Sequence, residues 1–454
     1  MRVPRFLAAF PFSERVCLLC VRFVRCGQIC RESDSRKGSS VNRHRPHLFA
    51  RNLAAPLLYG QRHPPSSLKK MGLLSDLFAW VMRMAFIALW TFVASCQVLA
   101  GSVRRAILRN MLLKPVAAAE ELSLPLLAAR MADLPYQVES AEDVAASLKT
   151  LLVDAKLLHF QQQALMDTNA VWFLCSGRIS ESAEPALFLV FRGTMSPTDA
   201  IADVLFRPEA GPNGVRCHGG FLRTVRDDAK LHDVLRKHLA GSCEPNSASA
   251  AAATARSSKK GSSTGSTGDA ALAYTAYSDM YIFGHSLGGA LSQTVAGAGF
   301  LPKGLRSKLT IVTLGGPVVF YGDVDASLLD AASASAKVIS IVNANDVVPR
   351  LLGCPLSFSR SVLDLFASSN NKRKHAEQEE VIDTLEQYRG FPGYELLFLH
   401  GAKAYPVPPR HRGLVLQLAE ALHPRAIADH LTYVAAAEAA AGAEPWAATL
   451  STAE

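Results

Sequence analysis

The chain has 454 residues, 49% of them apolar and 19% charged, with a net charge of +9; this is globular with a lean toward membranes, and fits one α/β domain of roughly 300 residues plus extra segments. Residues 1–70 hold 14 Lys and Arg against 3 Asp and Glu, so that arm carries +11 and everything after it sums to −2. The excess gives the folded part no nucleic-acid face, and no zinc-finger, RNA-recognition or basic-helix signature occurs.

Nine cysteines form an odd, sparse set, which argues against a disulfide framework. Cys17, Cys20, Cys26 and Cys30 could be imagined as a zinc site, yet they sit in an arginine-rich stretch with few order-promoting flanks. Residues 1–70 read instead as an organelle-targeting leader, or as an over-extended gene model upstream of Met71. Residues 71–115 follow, with Met84–Gly101 as an 18-residue stretch free of charge, arginines on both sides and Trp90 within. At about 1.5 Å per residue it reaches roughly 27 Å, just enough for a bilayer core. The expectation is a single membrane anchor; the alternative is a buried helix or signal-type segment, and basic flanks on both sides leave orientation open.

From 116 to 440 the chain alternates helical and strand patterns. Helices are expected near 117–131 and 140–157, strands at Val171–Cys175 and Leu187–Phe191, and a helix near 222–240. A strand at Tyr281–Phe283 then runs into a helix with Leu287, Ala290, Leu291, Thr294 and Val295 on one face, and strands follow at Leu309–Leu314, Val338–Val342 and Tyr394–Leu399. A last helix, rich in alanine, begins near Ala426, and 441–454 is a tail. Strands alternating with helices imply a mostly parallel sheet covered on both faces, with its chemistry at the strand C-terminal ends. Two polar stretches, 242–268 and 368–380, lack the apolar side chains needed to offset ordering entropy and read as surface insertions.

The turn Gly284-His285-Ser286-Leu287-Gly288 has the form of a nucleophile elbow. Glycines on either side relieve crowding around a serine held in a strained conformation, and the helix start supplies N–H groups and positive potential for an oxyanion. The plainer alternative is a strand-to-helix turn rich in small residues. The Leu287 N–H, following the nucleophile, is the expected first oxyanion donor. A triad acid belongs just after a later strand: Asp346 follows Val338–Val342 directly, whereas Asp323 precedes that strand. The histidine then comes from His400, His411, His423 or His430, among which order alone does not choose.

FLVFRGT, HGGF, GHSLGGALSQ, TLGGP, NANDVVPR and ADHLTY occur in the order and approximate spacing of the class 3 lipases, α/β-hydrolases that include diacylglycerol lipases, and over 116–440 the chain resembles that family. The resemblance implies an α/β-hydrolase fold and a triad of Ser286, Asp346 and His430, with His400 as runner-up for the histidine. It also implies that Thr194 supplies the second oxyanion donor, through its backbone N–H and hydroxyl. Ser196-Pro197-Thr198-Asp199 starts a short helix with Ile201, Val204 and Leu205 along one side; in related lipases this is a lid, although Ala200 stands where a tryptophan is common. His218 belongs to a turn-shaping motif.

The function expected is hydrolysis of glycerolipid acyl esters (triacylglycerol or diacylglycerol lipase, or phospholipase A type). The partners expected are membrane lipids or lipid droplets, no metal or organic cofactor is implied, and the location expected is a membrane, with the organelle left open between plastid and endomembrane among others. The competing reading is a non-catalytic lipase-like scaffold that binds a protein.

Overall fold

The computed structural model describes residues 112–116, 119–138, 140–162, 170–193, 207–240, 277–303, 305–353, 383–416, 423 and 425–445, with scattered positions between Val81 and Gly101 and on to Ile107. The leader, half of Met84–Gly101, Thr194 with the 196–205 segment, and both polar insertions lie outside the described residues. The chain divides into two compact units, Met1–Leu99 and Ala100–Glu454. In the first, the described positions from Val81 onward are helical, and Val81, Met84, Phe92 and Leu99 are exposed. Among the described residues no helix is long and apolar enough to cross a membrane; half of the Met84–Gly101 stretch lies outside them.

The second unit is built on eight strands: β1 (Val153–Gln161), β2 (Trp172–Arg178), β3 (Ala186–Phe191), β4 (Asp279–His285), β5 (Lys308–Leu314), β6 (Lys337–Asn343), β7 (Glu395–Leu399) and β8 (Ala404–Val407). They lie side by side in that order. β3 to β7 run parallel to one another, while β1 and β2 at one edge and β8 at the other are antiparallel to their neighbours. This mostly parallel sheet, covered by helices, fits the expected α/β-hydrolase fold.

Strands β2 to β5 send alternate side chains to two cores, while β7 and β8 also feed a third cluster with Leu396, Phe398, Tyr405 and Val407. Trp172, Leu174, Leu187, Leu189, Ile282 and Ile311 face one, which is completed by α3 (Gly219–Arg226), α4 (Ala229–Leu239) and α5 (Leu287–Gly297). Phe173, Phe188, Val190, Phe283, Val312 and Ile341 face the other, under α1 (Ser123–Gln137), α2 (Ala141–Leu151) and α7 (Tyr433–Ala441). Burial on both faces is why the strand runs are continuously apolar instead of alternating. Full burial of one such side chain contributes roughly 1.5–3 kcal/mol.

Three expected helices are corrected. The one drawn over 140–157 ends at Leu151, because residues 153–161 pair with β2 as an edge strand; β1 is half-exposed along its length, and its mixed pattern does not announce a strand. The one drawn over 222–240 is two helices. Asp228 breaks it: its carboxylate accepts the Leu231 N–H at 2.9 Å, capping α4, and the buried Trp172 indole N–H at 2.8 Å. The last helix is also two, α6 (Ala426–Leu431) and α7, separated at Thr432 with φ −116° and ψ 31°. A small second sheet of Pro208–Ala210, Arg216–His218, Phe320–Tyr321 and Tyr388–Arg389 was not expected.

Candidate active site

At the C-terminal end of β4, Ser286 has φ 56° and ψ −124°, a conformation a non-glycine residue adopts only under constraint from its surroundings. The constraint is steric and local. A Cβ on Gly284 would fall on the Gly288 carbonyl, and one on Gly288 on the Phe191 carbonyl of β3. Two glycines therefore let α5 start immediately against the sheet. The Ser286 N–H donates to the Leu314 carbonyl at 2.8 Å, and its own carbonyl accepts the Gly289 N–H at 2.9 Å. At the first position of α5, the Leu287 N–H is among the donors that helix geometry leaves without an intrahelical acceptor.

The turn after β6 and the last turn of α6 bring Asp346 and His430 together. His430 Nδ1 lies 2.9 Å from Asp346 Oδ1, with both side chains buried. A carboxylate only accepts, so the proton is on Nδ1 and Nε2 is left with its lone pair. The same Oδ1 accepts the Val348 N–H at 2.9 Å, and Oδ2 accepts the Tyr433 hydroxyl at 2.6 Å. Gly315, at φ 58°, makes room for this arrangement: a side chain there would run into the Asp346 carboxylate and the Tyr433 ring. Burial, and then the neighbouring Asp346 charge, push the Tyr433 phenol far up, so it stays a hydrogen-bond donor.

Further bonds fasten the two elements. Asp429 Oδ2 accepts from the Asn345 backbone N–H at 3.0 Å and side-chain amide at 2.7 Å, while the Asn343 amide donates to the Asp429 carbonyl at 2.7 Å. Buried Arg350 donates to the carbonyls of Asp346, Ala344 and Val415, pinning the turn from beneath.

Beside the elbow, the His285 ring stacks on His430 with centroids 4.7 Å apart. Burial, followed by repulsion from His430, lowers its pKa to about 4, so this ring is neutral at ordinary pH. The Ser286 hydroxyl makes no hydrogen bond to His430 among the described residues; catalytic hydrogen bonds are commonly long before substrate binds.

Of the four histidines, only His430 reaches Asp346. His400 follows β7, where its N–H bonds to the Lys403 carbonyl and its ring stacks on Phe398; His411 ends a short 3-10 turn, and His423 Nδ1 accepts the Arg425 N–H. Asp323 lies on the wall of a separate cavity of about 380 Å³ near Arg412 and Phe391. His218 is fully buried, stacked on Phe221. Thr194 lies outside the described residues, but the glycine before it is tightly held: a Cβ on Gly193 would sit 2.6 Å from the His285 carbonyl and 2.7 Å from Ser286 Cβ. Sequence reasoning missed the parts played by Asn343, Asn345, Asp429, Tyr433 and Tyr136. The first four lie inside the NANDVVPR and ADHLTY motifs, so that signal was present; nothing in the sequence marks Tyr136.

Residues 188–356, a little over a third of the chain, match the family model described as lipase (class 3). No curated protein matches the chain. Among solved structures, the native propeptide complex of Rhizomucor miehei lipase is 18% identical, with 71% of this chain and 82% of that one covered and a TM-score of 0.40. The lipase from Rhizopus microsporus var. chinensis is 17% identical, covering 71% and 89% with a TM-score of 0.39. For Lip2 lipase from Yarrowia lipolytica the values are 14%, 71%, 95% and 0.38. Residues 188–356 thus carry the class 3 lipase signature, and the chain is a carboxylic ester hydrolase of the lipase type.

Proposed function

We propose that the protein cleaves acyl esters of glycerolipids with Ser286 as nucleophile, His430 as general base and Asp346 as the group that orients it. The observation that supports this most is the 2.9 Å contact between His430 Nδ1 and Asp346, formed beside a serine held at positive φ. His430 Nε2 takes the Ser286 proton as Oγ bonds to the ester carbonyl carbon, then gives it to the leaving alcohol oxygen as the ester C–O bond breaks. Water, deprotonated by the same nitrogen, then hydrolyses the acyl-enzyme. The tetrahedral oxyanion is held by the Leu287 N–H and by Thr194, the latter on resemblance to the family alone.

Triacylglycerols, diacylglycerols and phospholipids are all within the substrate class proposed. We further propose that the uncharged Met84–Gly101 stretch anchors the hydrolase at a membrane. The exposed apolar positions Met84, Phe92 and Leu99 support that reading. A tether would raise the local concentration of the catalytic unit at lipid without touching the triad.

The test is fluorophosphonate labelling of the full-length chain together with turnover of a short-chain ester. Ser286→Ala is expected to abolish labelling and, like His430→Ala, to lower kcat by on the order of 10⁶. Full turnover in a folded Ser286→Ala variant would leave the chemistry to another residue.

A further inference from the structure

Tyr136, on α1, has no part in the chemistry above, yet it sits between the two loops that meet at Ser286. Its phenol oxygen packs against Gly193, where β3 leaves the sheet and where an added Cβ would lie 2.6 Å from it, and is 3.1 Å from His285 Nδ1. On the other side of that ring, His285 Nε2 lies 3.0 Å from the His430 carbonyl oxygen. A carbonyl only accepts, so Nε2 carries the proton and Nδ1 is the acceptor for the Tyr136 hydroxyl. One orientation of each proton satisfies the chain: Tyr136 O–H to His285 Nδ1, and His285 Nε2–H to the His430 carbonyl. The depressed basicity of His285 keeps the ring neutral at ordinary pH, so Nδ1 stays free to accept.

We propose that Tyr136 and His285 form a positioning relay, touching no substrate, that fixes the backbone of His430 and the exit of β3 relative to Ser286. This rests on the active-site reading above. The three segments it joins are far apart in the chain and carry different parts of the reaction. His430 belongs to a six-residue helix whose other ties, through Asp429, reach only the β6 side. His285 supplies the tie on the β4 side. The phenol oxygen also packs against Gly193, so it limits how β3 leaves the sheet beside Ser286. A shift of about 1 Å in such a constellation costs roughly 100-fold in rate.

The test uses full-length Tyr136→Phe, His285→Leu and His285→Gln proteins, with kcat and KM for a soluble short-chain ester and the rate of fluorophosphonate labelling. Tyr136→Phe keeps the ring and removes only the hydroxyl, so it remains informative where His285→Leu fails to fold. Losses in kcat of about 10- to 100-fold are expected for Tyr136→Phe and His285→Leu, with labelling slowed in parallel and KM within about twofold. His285→Gln, which can still donate to the His430 carbonyl, should recover part of the loss. The Tyr136→Phe/His285→Leu double variant should be little worse than either single one, because residues of one unit are not additive. Unchanged kcat in folded Tyr136→Phe, a change in KM alone, or fully additive losses would overturn the relay. Turnover persisting in Ser286→Ala would instead overturn the active-site reading beneath it.

Discussion

The two halves of the site are made in different ways. Ser286 is held by tight backbone packing: two glycines, the end of β4, the first turn of α5 and a bond from its N–H to Leu314 of β5 confine it, and the bonds at the elbow are mostly between backbone groups. Asp346 and His430 are 84 positions apart and are held by side chains, with Tyr433, Asn343, Asn345 and Asp429 linking β6 to α6 through buried hydrogen bonds. A half built on sterics tolerates almost no added volume but depends little on polar partners. A half built on buried polar pairs has the opposite sensitivity, because each lost partner leaves another group desolvated and unsatisfied.

The largest expected effect separates the halves outright. Asp346→Asn keeps the volume but presents an amide to His430, which favours the wrong tautomer; kcat should fall by about 10⁴ while the elbow and fold persist. Steady-state kinetics beside circular dichroism reads both. A loss of less than tenfold would mean that the carboxylate is not what orients His430.

The next effect sharpens the comparison from the nucleophile side. The folded pKa of His285 is lowered to about 4 from 6.5, so between those values the unfolded chain binds more protons than the folded one. Stability from this group is therefore present above about pH 6.5 and lost as pH falls toward 4, by on the order of 3 kcal/mol. Urea denaturation at pH 7 and at pH 4.5 should show wild type losing more stability than His285→Leu across that interval. Parallel losses in the two proteins would contradict the buried, neutral ring.

The smallest effect lies in the second half again. Asp429→Asn retains shape but leaves the Asn345 N–H and amide facing a group that is no longer charged, and a stability loss of about 1–2 kcal/mol follows from weakened charge-assisted bonds. Thermal denaturation reads it, and a variant as stable as wild type would show that the link between β6 and α6 lies elsewhere.

The same contrast explains what could be read in advance. By itself the sequence determined the elbow around Ser286, since a G-x-S-x-G turn between an apolar run and a helical stripe is a local steric statement about consecutive residues. It also determined the parallel strands β3 to β6, whose continuous apolar runs follow from burial on both faces. The histidine was different: among His400, His411, His423 and His430 spacing held no preference, the resemblance to the family pointed to His430, and the folded chain brings that imidazole to Asp346. Nor could β1 be told from a helix, because an edge strand with one wet face owes its state to its partner. The Tyr136–His285–His430 chain belongs wholly to the tertiary structure. It joins α1, β4 and α6 across intervals of 149 and 145 residues, and no local pattern carries a hydrogen bond over that distance.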